Sequence, residues 1–327
     1  MTILVTGSAG HLGEALMRTF DERGQAARGL DIKPSPFTHC IGSIADRSVV
    51  RRCMAGMRTV LHAATLHKPH VATHSYQDFL DINVAGTLVL LEEAVKAGVG
   101  SFVFTSTTSA FGAALTPAKG APAAWVTEDV LPIPKNIYGA SKIAAEGLCE
   151  LFARKHGLRV IVLRTSRFFP EADDDAAIRD AYEPANAQAN ELLNRRADIA
   201  DIVEAHVLGA ARAKDIGFGR YIISATTPFG QGDLQALRHD APGVVQRLFP
   251  DCATLFAAHG WRLFPTIDRV YVNQRALTEL GWRPKYDFRN MLDCLARGVD
   301  FRSPLARAVG SKGYHDEIFT GSPYPVA

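Results

Sequence analysis

A tyrosine stands four residues ahead of a lysine in Tyr138-Gly139-Ala140-Ser141-Lys142, a pair suited to moving a proton. On a helix, residues four apart share one face. A phenol in water titrates near about pH 10, too high for a good base at neutrality. A neighbouring ammonium favours the phenolate and lowers that value. Such a pair can take the proton of an alcohol while hydride leaves its carbon. Upstream, Phe102-Val103-Phe104-Thr105-Ser106-Thr107-Thr108-Ser109 reads as a strand that ends in hydroxyls. An open parallel sheet places its ligands at the carboxyl ends of its strands, so one of these hydroxyls can bond the reacting oxygen. On its own, Tyr-x-x-x-Lys equally describes an exposed phenol and a solvated ammonium.

A hydride needs an acceptor, and the chain opens with a motif that could hold one. Gly7-Ser8-Ala9-Gly10-His11-Leu12-Gly13 lies between a strand and a helix. Glycine serves where the chain turns tightly, where backbone approaches a pyrophosphate, and where helix and strand pack closely. The helix N-terminus then offers N–H groups and a positive dipole end to the anion. Asp31 follows at the end of the second strand. A carboxylate there accepts from ribose hydroxyls and repels a 2′-phosphate, which favours NAD over NADP. Lys33, two residues on, acts in the opposite sense.

The elements that must position these groups alternate. Ile3-Leu4-Val5, Leu30-Asp31, Thr59 to Ala63, Phe102 to Phe104 and Arg159 to Leu163 read as strands or strand ends. Helical patterns run through Leu12 to Phe20, Val49 to Met57, Phe79 to Lys96 and Ala140 to His156. Strands separated by helices of this length imply a parallel sheet with crossover helices on both faces. The expected fold is therefore α/β, a Rossmann-type doubly wound parallel sheet over residues 1–165. Segments near 196–225 return to it, and a smaller C-terminal α/β substrate lobe forms from 166–195 and 226–327. Gln274 to Leu280 reads as a short helix. No internal repeat or low-complexity tract interrupts the pattern.

Composition limits the function class. The 327 residues include 36 basic and 34 acidic side chains, a formal net charge of +2. That balance gives no reason to expect nucleic acid or an anionic membrane as partner. No apolar stretch approaches the roughly 20 residues that span a bilayer. Strand-like residues begin at Thr2 with no charged leader before them. Cys40, Cys53, Cys149, Cys252 and Cys294 are odd in number and scattered, which argues against a disulfide framework or zinc site and for a reducing cytoplasm.

Together these pieces resemble an extended short-chain dehydrogenase/reductase of the NAD-dependent epimerase/dehydratase family. Matching segments are the glycine motif at 7–13, Asp31, Leu61-His62-Ala63-Ala64, Asn83-Val84-Ala85-Gly86-Thr87, the hydroxyl strand, Tyr138 to Lys142, and Leu280-Gly281-Trp282-Arg283-Pro284. The resemblance implies Tyr138 as base or acid and Lys142 as its partner, also bound to the nicotinamide ribose. It implies Thr107, counted back from Phe111-Gly112, as the catalytic hydroxyl. Cofactor contacts are implied for Gly7, Ala9, Gly10, His11, Leu12, Gly13, Asp31, Ser43, Ile44, His62, Ala63, Ala64, Asn83 and Thr105, with Asn83 supporting the active-site backbone. Leu88 to Val95 and Ala144 to Phe152 resemble helices that pair in family homodimers, and serve equally well as ordinary core.

Departures from the family pattern narrow the chemistry. Arg164-Thr165-Ser166-Arg167-Phe168-Phe169-Pro170 lacks the Asn that sugar-nucleotide epimerases often carry there. Thr108 and Ser109 stand where 4,6-dehydratases place an Asp-Glu pair, which disfavours dehydration. Ser43 replaces an adenine-contacting Asp.

Substrate contacts are expected from Thr65, His67, Thr108, Ser109, Arg167 and Arg195, and also from Lys68 or His70. Arg167, Arg195 and Arg196 could clamp a phosphate or carboxylate, or could pair with Asp198 or Asp201. His67, His70 and His74 have a spacing that could bind metal, but Pro69 interrupts the helix this requires, and no metal is expected. Asp173-Asp174-Asp175 reads as a solvated loop. The resulting expectation is an NAD-dependent epimerase acting on a sugar or sugar nucleotide. A dehydrogenase of a simple sugar, sugar acid or other alcohol is the alternative, and a non-catalytic NAD(H) sensor is a third.

Overall fold

Strand β1, Ile3–Thr6, is buried along its whole length, as a strand covered on both faces must be. In the computed structural model, which describes residues 2–313, it pairs in parallel with β2 (Ala27–Asp31) and β4 (Thr59–His62). The strands β3 (Cys40–Ile41), β5 (Ser101–Thr107), β7 (Val160–Thr165) and β8 (Phe218–Ile223) complete a seven-stranded parallel sheet in the order β3-β2-β1-β4-β5-β7-β8. The chain runs outward from β1 to β3 on one side, then crosses back to β4. That reversal opens a crevice at the carboxyl ends of β1 and β4, where doubly wound sheets bind ligands.

Alternate residues along a strand face opposite layers. Val5, Leu61, Val103 and Ile161 pack against α1 (His11–Glu22) and the helix Ile199–Ile216. Leu4, Val60, Phe102, Phe104, Val160 and Val162 face the other layer. That layer consists of α2 (Arg47–Met54), α4 (Gly86–Lys96) and α5 (Ile137–His156). The single helix expected over 79–96 divides into α3 (Tyr76–Phe79), a wide π-helical turn Leu80–Ala85, and α4. Such turns cluster at functional positions, and this one carries Asn83.

The smaller lobe has its own core of Leu192, Leu193, Phe229, Leu237, Val245, Phe256, Phe288 and Leu292. It also draws on a segment from the first half of the chain. Strand β6, Ala124–Val126, pairs in parallel with β9, Arg269–Tyr271, and Trp125 packs against the lobe core. Sequence periodicity could not reveal this three-residue strand, because only its distant partner makes it one. Trp282 is fully buried, and its indole N–H donates to the Asp201 carbonyl at 2.8 Å. The Asp201 carboxylate accepts from the backbone N–H of Lys285 and Tyr286 at 2.9 and 3.0 Å. The Gly-Trp-Arg-Pro segment thus ties the lobe to the helix Ile199–Ile216. Among the described residues no helix is long and apolar enough to cross a membrane.

Candidate active site

Thr107 is the last residue of β5, and Tyr138 and Lys142 lie on successive turns at the start of α5. Asn136 sets that start: its side-chain oxygen accepts from Gly139 N–H at 3.0 Å, an N-cap. All three side chains are buried and line one cleft with Gly7, Gly10 and Gly13. Thr107 Oγ1 accepts from Ser109 N–H at 3.1 Å, and its hydroxyl is near enough to the Tyr138 phenol to favour the phenolate.

Burial has a larger effect here than the spacing suggested. It pushes the Tyr138 phenol up to about 12, only partly offset by Thr107. The Lys142 ammonium is pushed down to about 7, with the Glu146 carboxylate pulling in the opposite direction. Its Nζ lies 4.2 Å from the centre of the Phe104 ring. The expected lowering of the phenol by lysine is outweighed, because taking each group out of water penalises its charged form. Tyr138 is a neutral phenol at neutral pH, able to give its proton to a carbonyl; as the phenolate left by that transfer it can take one back from an alcohol.

Asn83 supports this arrangement. Its side-chain oxygen accepts from Leu66 N–H at 2.8 Å and Thr65 Oγ1 at 2.9 Å. Its amide donates to the Leu66 carbonyl and to Ser141 Oγ, both at 3.0 Å. The side chains of His62 and Ile44, expected at the cofactor, are buried in the sheet layers instead. His62 Nε2 meets Thr87 Oγ1 at 3.0 Å, while Nδ1 meets Thr6 Oγ1 at 2.8 Å. Thr87 already donates to the Asn83 carbonyl, and Thr6 already accepts from Ala64 N–H. His62 is therefore neutral with its proton on Nε2, and burial holds its pKa well below the usual range.

The glycine loop has the shape a dinucleotide needs. Gly7 has φ +75°, and a Cβ there would lie 2.8 Å from Ala64 N. A Cβ on Gly13 would lie 1.9 Å from the Gly7 carbonyl oxygen. Among the described residues no side chain caps the first turn of α1, so its N–H groups remain suited to a pyrophosphate. Asp31 accepts from Ala9 N–H at 3.0 Å and Lys33 N–H at 2.9 Å, which sets its carboxylate beside the loop. These residues fit NAD: Gly7, Gly10 and Gly13 would cradle its phosphates and Asp31 its adenosine ribose. Ala63 and Thr105 line the cleft, while Ser43 lies past the end of β3 and bonds Ala45 N–H. Thr105 also donates to His206 Nε2 at 2.8 Å, whose Nδ1 serves the Ile202 carbonyl.

On the substrate side, Thr65, His67, Thr108, Ser109, Arg167 and Arg195 all line the same cleft. The His67 ring centre lies 6.1 Å from that of Tyr138, and burial lowers its pKa to about 3, so it is neutral. The arginines pair differently from expectation. Arg195 Nη2 meets Asp173 and Glu191, each at 2.9 Å, and Arg196 Nε donates to Glu191 at 2.6 Å. Arg167 lies 3.8 Å from Asp173, Asp174 and Glu191. Asp198 instead caps a helix and bonds Ser303. The acidic run is not a solvated loop: Asp173 is buried against Arg195, Asp174 pairs with Lys68, and Asp175 caps the helix Ala176–Ala181. Lys68, Arg167 and Arg195, from three other segments, draw Asp173 and Asp174 inward, while Asp175 stays exposed.

Sequence reading missed several groups. Glu146 is buried on the same helix face as Lys142 and pairs with Arg164 at 2.7 Å. It also accepts from Ser106 Oγ at 2.6 Å. Its four-residue step from Lys142 was the available signal. Glu171 accepts from Ser311 Oγ at 2.8 Å and lies 2.7 Å from His11 Nε2, and no spacing along the chain marks that cluster.

Comparison with known proteins agrees with this architecture. The family model described as NAD dependent epimerase/dehydratase family matches residues 3–217. An uncharacterized protein, y4nG of Sinorhizobium fredii, is 34% identical over half of this chain; the match spans 40% of that protein. The dTDP-glucose 4,6-dehydratase of Streptomyces antibioticus is 29% identical over 92% of each chain. The UDP-glucose 4-epimerase of Erwinia amylovora is 28% identical over 73% of this chain and 74% of its own. Among solved structures, a short-chain dehydrogenase/reductase superfamily protein from Agrobacterium tumefaciens with bound NAD aligns at a TM-score of 0.64. It is 21% identical and covers 94% of this chain and 97% of its own. The glycine cradle, the Thr107, Tyr138 and Lys142 cluster and the extent of the family match lead to one conclusion: this chain belongs to the NAD-dependent epimerase/dehydratase family.

Proposed function

We propose that the protein is an epimerase acting on a sugar, with a sugar nucleotide as the family-typical form, through oxidation and re-reduction at one carbinol carbon. The reading rests on one observation: a phenol, a hydroxyl and an amine from two elements meet in the cleft that also contains the glycine loop. NAD, when bound, supplies the hydride acceptor. Tyr138 exchanges the proton of the substrate hydroxyl, Thr107 donates a hydrogen bond to the same oxygen, and Lys142, whose amine takes up a proton near pH 7, supplies positive charge nearby in that form. Proton transfer of this kind contributes about 10²- to 10⁴-fold to rate. A cytoplasmic homodimer paired through α4 and α5 belongs to the same reading, and the free state of all five cysteines is in keeping with a reducing compartment.

A net dehydrogenase of a simple sugar, sugar acid or other alcohol is the second reading. Lys68 and Arg167 are already engaged by Asp174 and Asp173, which leaves less positive charge for a diphosphate. The test is incubation with NAD and a panel of sugar nucleotides, uronic acids and free sugars. Isomerised sugar without net NADH supports the epimerase, whereas stoichiometric NADH supports the dehydrogenase.

A further inference from the structure

Among the described cleft-lining residues, three have side-chain polar atoms that are buried and without a hydrogen-bond partner: Ser166 Oγ, Arg167 Nε and Arg269 Nε. Arg167 Nε has the Glu191 carboxylate 3.8 Å away, whereas Ser166 and Arg269 have no such acid at those atoms. Ser166 is 3% exposed and follows β7. Arg269 begins β9, in the smaller lobe. The fold brings them to one wall. Arg167 N–H donates to the Arg195 carbonyl at 3.2 Å, which sets the end of β7 beside Arg195. Asn194 Nδ2 donates to the Arg269 carbonyl at 3.0 Å, which sets β9 beside the same turn.

A buried donor without an acceptor costs about 1–3 kcal/mol, and the Ser166 and Arg269 donors, in the cleft that Tyr138 also lines, call for an acceptor brought in from outside. Arg269 Nη1 is committed to Asp268, a half-exposed neighbour in sequence, and this leaves Nε directed elsewhere. Arg195 meets Asp173 and Glu191 through Nη2.

We propose that Ser166, Arg269 and the unspent edge of Arg195 form an anion subsite for a carboxylate on the substrate, so that the enzyme takes a sugar acid. This deepens the proposed carbinol chemistry and rests on it. A planar carboxylate matches a guanidinium edge with two parallel hydrogen bonds. A diphosphate would meet Asp174, which lines the same cleft, and the cations nearest Asp173 and Asp174 are already paired with them. The carboxylate is held and is not transformed.

The test is calorimetric titration of the protein–NADH complex, in which no turnover occurs. The probes are D-galacturonate and D-glucuronate, their neutral parent sugars, the hexose 6-phosphates and UDP-glucose. The expected result is a uronate bound roughly 10- to 100-fold more tightly than its neutral parent, the range for a hydrogen-bonded charge. Arg269→Gln and, independently, Ser166→Ala should each shrink that ratio while leaving neutral-sugar and NADH binding unchanged. No measurable uronate binding, a uronate no tighter than its parent, or a ratio that survives both substitutions overturns the proposal. So does a hexose phosphate or UDP-glucose that binds more tightly than every uronate. The catalytic reading is checked separately by turnover of Tyr138→Phe. A uronate preference that persists while this variant keeps full activity supports the subsite and removes the proton-transfer mechanism.

Discussion

Asn83 is hydrogen-bonded to Ser141, and Ser141 in turn donates to the backbone carbonyl of Tyr138 at 2.9 Å. This relay joins the loop after β4 to the helix turn that carries the phenol. Asn83 makes four hydrogen bonds there. Replacing it by alanine strands several buried partners, so Asn83→Ala should lower stability by about 1–3 kcal/mol and lower turnover as well. Thermal melts alongside steady-state kinetics check this. Full activity with wild-type melting would show that the relay does not hold the site.

Tyr138→Phe should reduce turnover by about 10²- to 10⁴-fold while dinucleotide binding, followed by calorimetry, stays intact. A non-catalytic cofactor sensor would show no such loss, because it has no turnover to lose.

Lys142 yields a pH prediction whose sign can be worked out. Its ammonium is lowered from 10.5 to about 7 by burial. Between these values the unfolded chain binds the proton and the folded protein does not, so stability rises with pH across that window. Below about pH 7 the full penalty is present. Lys142→Met should therefore melt higher than wild type at pH 7 and below, and the gap should close toward pH 10.5. A variant that melts lower than wild type at every pH would mean that Glu146 fully compensates the buried charge.

Two glycines should respond oppositely to alanine. In Gly13→Ala the new methyl collides with the Gly7 carbonyl, so NAD binding should weaken at least tenfold and the protein should lose stability. Gly147, inside α5, has open space around it, so Gly147→Ala should add roughly 0.5–1 kcal/mol. Differential scanning calorimetry and NAD titration distinguish the two outcomes.

Asp31→Ser should weaken NAD binding by roughly 10- to 100-fold, the range for loss of hydrogen bonds to a charged group. The same change should narrow the preference over NADP, since the carboxylate no longer repels a 2′-phosphate. Parallel titrations with both dinucleotides measure this, and an unchanged ratio would remove Asp31 from cofactor selection.

Much of the sheet could be read from the chain because its causes are local. Leu4 and Val60 are buried strand residues at positions where apolar runs already stood out. Gly7 and Gly13 marked a tight turn, and the helical pattern from Ala140 to His156 set Tyr138 and Lys142 at a helix start. The π-helical turn was not legible, since one extra residue in a helix leaves the apolar pattern nearly unchanged. Strand β6 was equally hidden because its partner lies more than a hundred residues away.

What the sequence by itself determined is the kind of groups present and their order: a glycine cradle, an acid after the second strand, hydroxyls at a strand end, a phenol and an amine one helical turn apart. Local backbone rules govern those relations. Only the tertiary structure decided how each group is charged and paired. Burial turned the phenol and the amine toward their neutral forms, and a run of aspartates became the partners of Lys68, Arg167 and Arg195. Ion pairing and desolvation depend on which distant segments the topology packs together, and spacing along a chain carries no record of that.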